Sequence, residues 1–171
     1  MRKHILLISL TMACLAAPFS IALAQNDARV TALKSEGKAQ ALVGSWLETV
    51  TFPPEAGRPP LKSLVTFHND GTMTCSDQGS VTLIEPSVFT SCHGAWTHLE
   101  KRDFAYTQLE LISDLSGNLT GYLKVRGVYT LSGSGHQYTG TSVAQIFDTA
   151  GTLQFEVQVT NTGGRIVVEL S

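Results

Sequence analysis

The chain has 171 residues, which is enough for one ordinary domain and too few for two well-filled ones. Apolar residues make up 43% of the chain and charged residues 15%, so a packed core is expected and a disordered chain is excluded. The net charge of −2 would become −4 if the first 24 residues, which carry two basic and no acidic residues, were removed. A chain with this balance lacks the basic face that nucleic acid or anionic lipid requires.

Residues 1–24 have the layout of a secretory signal. Two basic residues precede a mostly apolar stretch, and Ala22-Leu23-Ala24 forms a small-x-small cleavage pattern. Cleavage after Ala24 predicts a secreted or periplasmic protein with no membrane contact afterwards. Pro18 and the short continuous apolar run argue against an uncleaved anchor. Lipidation at Cys14 is disfavoured, because no aliphatic residue stands three positions before it.

Export makes Cys75 and Cys92 an interpretable pair, because the compartment permits oxidation. A disulfide between them would close a loop of 17 residues and add about 3 kcal/mol of stability. Two buried thiols are the alternative, since the sequence does not show that the side chains approach each other. A zinc site is disfavoured, because the cysteines and histidines show neither CxxC nor HxxxH spacing, and no metal is predicted.

Residues 26–42 are the helical candidate of the mature chain, with a weak apolar stripe interrupted by Gly37. We expect one or two helical turns that pack across the end of the domain. The predicted organisation is therefore a signal peptide at 1–24, a short helical lead-in at 25–43 and a single β-domain at 44–171.

From Gly44 onwards, clusters of Asn, Asp, Gly and Pro recur at short intervals and separate segments rich in Val, Thr, Tyr, Phe and Leu. These segments predict strands, with one more possible at 80–84. The predicted strands are 44–52, 61–68, 72–77, 92–98, 103–113, 119–131, 136–148, 152–160 and 164–170. The cluster Asn161-Thr162-Gly163-Gly164 is interpreted as the last turn.

Two segments alternate cleanly, and each has one apolar and one polar face. Leu153, Phe155, Val157 and Val159 lie on one side of 152–160, and 119–131 alternates in the same way. Antiparallel strands with one dry face form either a sandwich or a closed barrel. Successive hairpins favour the barrel, which also removes exposed edges. The predicted fold is thus all-β, an antiparallel up-and-down closed barrel of about eight or nine strands.

A Gly-x-Trp at the first strand, here Gly44-Ser45-Trp46, resembles the lipocalins and the wider calycin group. The resemblance implies that Trp46 plugs one end of the barrel and that a late arginine, here Arg165, packs over it. It also implies a small apolar or amphipathic ligand inside the barrel. The Thr-Asp-Tyr pattern of the central lipocalin turn is missing from this chain.

Strand 103–113 allows two orientations. Tyr106, Gln108 and Glu110 can face inwards and orient a ligand, and a buried Glu110 would then have a raised pKa and could act as a general base. The orientation we expect is the opposite one, with Ala105, Leu109 and Leu111 in the core and Glu110 in water.

The inward residues predicted to contact a ligand are Phe67, Met73, Trp96, His98, Tyr106, Gln108, Leu123, Phe155 and Val157. His98 shares strand parity with Trp96, which places it near a barrel mouth, either as a ligand contact or as a rim histidine bonded to a turn. Haem ligation by a histidine lacks any further signature, and no cofactor is predicted.

Binding of a small apolar or amphipathic molecule is the leading functional hypothesis. One alternative is a cyclase or isomerase, for which Glu110 and Tyr106 are the weak catalytic candidates. Another is a barrel without a cavity that acts as an inhibitor or interaction module through the proline-rich loop at 52–60.

Overall fold

The structure is a computed structural model that describes residues 40–78 and 87–170. The predicted signal peptide, Cys14, most of the helical lead-in and the possible strand at 80–84 lie outside these residues. Helical elements in the described part are two short 3-10 turns, Gln40–Leu42 and Pro54–Ala56. A longer helix leading into the first strand therefore has no support there.

Nine strands make up the described chain, and every pairing between them is antiparallel. They are β1 Gly44–Thr51, β2 Leu61–Phe67, β3 Thr72–Asp77, β4 Val88–Phe89, β5 Cys92–His98, β6 Asp103–Ser113, β7 Leu119–Leu131, β8 Gln137–Asp148 and β9 Leu153–Arg165. Eight of them pair in the order β1-β2-β3-β5-β6-β7-β8-β9, and β9 pairs with β1. The predicted closed up-and-down barrel is confirmed.

The ninth strand, β4, pairs with the far end of β6 beyond the point where β5 stops. Phe89 lies opposite Ile112, whereas β5 begins its pairing with β6 at His93 and Leu109. Between them Thr90 bonds Leu111 twice, once through its amide at 3.1 Å and once through its hydroxyl, which accepts from the Leu111 amide at 3.0 Å. Two residues are too short a segment to show periodicity, and β4 was absent from the predicted strands.

The prediction of a turn at 161–164 and a further strand to residue 170 is wrong. β9 continues without a turn through Arg165, and residues 166–170 form no strand. The glycine at 163 leaves room for a ring, because a Cβ there would overlap the ring of Tyr138. The apparent turn signal at 161–164 thus reflects close approach inside a barrel strand.

Buried aromatic rings fill the end of the barrel where β1 begins, and we call this end the floor. Trp46 is fully buried and donates its indole N–H to the Leu42 carbonyl at 3.0 Å. The Arg165 guanidinium lies 4.2 Å from the Trp46 ring centroid and donates to the Val43 carbonyl at 2.7 Å. Arg165 therefore packs over Trp46, as the sequence predicted.

Other large buried side chains complete the floor, and its aromatic members pack ring against ring. These side chains are Phe67, Met73, Trp96, Phe104, Tyr129 and Leu131, each 8% exposed or less. The opposite end carries the 52–60 loop and the β8–β9 turn, and we call it the open end.

Cys75 and Cys92 form a disulfide with a Cα–Cα distance of 4.9 Å. The two residues lie opposite each other on β3 and β5, and both are buried. The disulfide prediction is therefore confirmed over two free thiols.

Gly44 enters β1 with φ +128°, and a Cβ built there would lie 2.7 Å from Arg165 Nη1. Gly44→Ala is predicted to lower the free energy of unfolding by about 2 kcal/mol or more, because it adds backbone strain and displaces the guanidinium. Urea unfolding is the measurement.

Gly164→Ala is the matched control. Gly164 also neighbours Arg165, and a Cβ built at Gly164 meets no atom of other residues within 4 Å. Equal losses in the Gly44 and Gly164 variants would contradict the role given to Gly44.

Candidate functional site

A cavity of about 120 Å3 lies between the floor and the open end of the barrel. One set of its lining residues is apolar and consists of Val50, Phe52, Leu61, Phe89, Leu123, Val125, Ala144, Ile146, Phe155, Val157 and Val159. A second set of lining residues is polar, and we call it the polar layer: Glu48, Ser63, Asp77, Tyr106, Gln108, Glu110, Ser142 and Asn161. The cavity therefore has both an apolar wall and a set of polar groups that can orient a ligand.

β6 contributes three residues to the polar layer because it has the orientation opposite to the expected one. Gln108 and Glu110 are 9% and 4% exposed, whereas Leu109 and Leu111 are 47% and 51% exposed. The expectation that the two leucines lie in the core is wrong. Tyr106 on the same face stacks on Tyr129 with ring centroids 4.3 Å apart, and burial of such aromatic surface fixes the strand's orientation.

Glu48 is the centre of a hydrogen-bond network on the side of the cavity that faces the floor. Tyr138 donates its hydroxyl to Glu48 Oε2 at 2.6 Å, and Asn161 donates its amide to Glu48 Oε1 at 3.1 Å. Ser142 in turn donates to the Asn161 side-chain oxygen at 2.8 Å. Burial raises the pKa of Glu48, and these hydrogen bonds partly oppose the rise.

The Glu110 carboxyl is less well supplied with donors. Gln108 donates to Glu110 Oε1 at 3.5 Å, the outer limit of a hydrogen bond. Burial raises the pKa of Glu110 to about 8, and the charge of Asp77 acts in the same direction. The pKa of Asp77 is also raised by burial, against a hydrogen bond from Ser63.

Asp77, Ser63 and Glu48 lie side by side across three strands. Ser63 on β2 is opposite Glu48 on β1 and opposite Asp77 on β3.

Arg58, in the loop at the open end, is the basic side chain among the described residues that line the cavity. Its guanidinium lies 4.7 Å from the Phe52 ring centroid.

Five of the nine predicted ligand contacts line this cavity: Tyr106, Gln108, Leu123, Phe155 and Val157. The other four, Phe67, Met73, Trp96 and His98, lie at the floor end. Trp96 donates its indole N–H to the Thr72 and His68 carbonyls at 3.0 and 3.1 Å. His98 contacts the Lys101 carbonyl at 3.3 Å and packs on Phe104, so it lies at a turn of the closed end and not at the open mouth.

Sequence reasoning missed Glu48, Asp77, Ser142 and Asn161 as lining residues. Glu48 had a usable signal, since it alternates with Trp46, whose inward orientation was expected. Asn161 was hidden by its place in an apparent turn.

Among the described residues, no group of three or more His, Cys, Asp or Glu side chains is arranged to hold a metal ion. In the same part of the chain, no helix is long and apolar enough to cross a membrane. Comparisons of the chain with protein-family models, with curated proteins and with solved structures found no match.

The raised pKa of Glu110 predicts a pH-dependent stability. The unfolded chain releases this proton near pH 4.5, whereas the folded chain keeps it until about pH 8, so the free energy of unfolding falls as pH rises between these values. The loss from this one group is at most about 1.4 kcal/mol per pH unit.

Glu110→Gln removes the ionisation and keeps the shape of the side chain. The variant is predicted to match the wild type at pH 5 and to exceed its stability at pH 8, as measured by urea unfolding. Glu100→Gln, at an exposed carboxylate, is the control. If Glu110→Gln leaves the pH slope unchanged, Glu110 is not the buried acid described above.

Proposed function

We propose that this protein is an exported, lipocalin-like barrel that binds a small apolar or amphipathic molecule in its interior. The observation that carries the proposal is the cavity with an apolar wall above a fully packed floor. A wall of this kind stabilises a bound apolar group by about 25 cal/mol per Å2 removed from water, before ordering costs.

The size of the cavity limits the ligand. An apolar cavity of about 150 Å3 holds a molecule as large as benzene, and the cavity here is about 120 Å3. The buried part of the ligand is therefore a short chain or a single ring. Phe155, which is 46% exposed at the open end, would contact any part that projects towards solvent.

The lipocalin resemblance supports the same function. The eight-stranded antiparallel barrel is consistent with a calycin-like fold, and the chain enters it at Gly44 with Trp46 covered by Arg165. In such a barrel the plugged floor leaves the open end for the ligand. The signal-like start of the chain and the disulfide support export to an oxidising compartment.

Hexanol is a probe of suitable size. Isothermal titration is predicted to show saturable binding with a dissociation constant on the order of 0.1–1 mM. Val157→Trp, which fills the cavity, is predicted to weaken binding at least about tenfold, because the apolar space is lost.

Val128→Trp is the matched control, since Val128 faces outwards and is 38% exposed. Equal binding by both tryptophan variants would place hexanol outside the barrel and contradict the proposal.

An isomerase is a second candidate, because Tyr106 and Glu110 line the same cavity. A carboxyl with a pKa of about 8 can exchange a proton with a bound ligand near neutral pH. Deuterium incorporation into cyclohexanone in D2O, followed by NMR and abolished in Glu110→Gln, would support this candidate. Exchange no faster than in buffer would remove it. The interaction module without a cavity would require an interior filled by side chains, whereas this barrel has a cavity of about 120 Å3.

A further inference from the structure

The polar layer contains more hydrogen-bond acceptors than donors. When ionised, its three carboxyl groups offer six oxygens, each able to accept more than one bond. Three donors around them already have partners within the layer: Asn161 donates to Glu48, Ser142 to Asn161 and Gln108 to Glu110. A ligand that brings donors of its own would add to the bonds of this layer.

Glu110 shows where such a donor would bind. Its side chain is 4% exposed, and among the described residues its only hydrogen bond is the 3.5 Å contact from Gln108 to Oε1. The Oε2 atom therefore has no partner in the described chain. No fully enclosed side-chain oxygen of the described residues lacks a partner, so Oε2 is not fully enclosed, and Glu110 lines the cavity.

The charges around the cavity favour a cation over an anion. Among the described residues, Glu48, Asp77 and Glu110 line it, against the one guanidinium of Arg58 at the open end. An anionic group at the polar layer would be desolvated beside like charges, whereas a cation there would face carboxylates at short range.

We propose that the ligand carries a primary ammonium group, which binds against the Glu110 and Asp77 carboxylates while its apolar part lies along Leu123 and Val157. This inference rests on the proposed binding function and specifies its ligand class. An ammonium group brings three donors and one positive charge, and both are what the polar layer lacks. The raised pKa values of the three carboxyls are the expected state of the layer without such a counter-charge.

The test compares three ligands of nearly equal size, namely hexylamine, hexanol and hexanoate. Titrations are done at pH 8, where about half of Glu110 is ionised in the empty barrel. A phosphate buffer is used, because amine buffers would compete. Hexylamine is predicted to bind about tenfold or more tightly than hexanol, as a charge-assisted hydrogen bond implies, and hexanoate is predicted to bind most weakly.

The double variant Asp77→Asn/Glu110→Gln is predicted to remove the preference for hexylamine over hexanol. Urea unfolding of the double variant checks that it is folded. Glu100→Gln, the control at an exposed carboxylate, is predicted to keep the preference. A preference for hexylamine that survives the double substitution would place the ammonium elsewhere and overturn the inference.

The two proposals fail in different ways. If hexanol binds and hexylamine is no tighter, the ammonium inference is wrong and the binding function stands. If none of the three ligands binds, the binding function fails, and the ammonium inference fails with it.

Discussion

The contact between Arg165 and Trp46 is the constraint on which the rest of this barrel depends. It joins the end of the last strand to the beginning of the first, in register. The guanidinium covers the indole and also bonds backbone carbonyls at Val43 and Gly135, so one side chain ties together three separate segments. An arginine suits this position because it can stack on a ring and donate in several directions at once. With the floor closed in this way, the remaining interior space lies towards the open end.

The cavity and its buried carboxyls lower the stability of the fold. A cavity forgoes packing contacts, and buried carboxyls have a desolvation cost that hydrogen bonds offset only in part. The floor, by contrast, is filled with stacked aromatic rings. Glu48 is well supplied with donors and has the character of a structural group, whereas Glu110 has one weak donor. The difference between these two carboxyls supports the proposal that Glu110 orients the ligand. Interior groups left poorly satisfied in an otherwise packed barrel are expected where a protein binds a ligand.

The strand pattern was readable from the sequence because turns and alternation are local signals. The barrel, the disulfide pair and the Trp46–Arg165 pair follow from spacing, strand count and a three-residue resemblance. The orientation of β6 did not follow, because Leu109 and Leu111 and the opposite face of Tyr106, Gln108 and Glu110 are both plausible interiors by composition. Cross-strand stacking on Tyr129 decides between them, and that is a long-range contact. Likewise, the apparent turn before Arg165 reflects the space that the Tyr138 ring needs, which no local rule contains.

The central claim is that a ligand binds inside the barrel, between the floor and the open end. The most direct measurement is a set of intermolecular NOEs between hexanol and the methyl groups of the protein in solution. The account predicts NOEs to Leu123, Val125 and Val157, which line the cavity. NOEs confined to Leu47, Leu64 and Leu109, which are exposed on the outer surface, would contradict it.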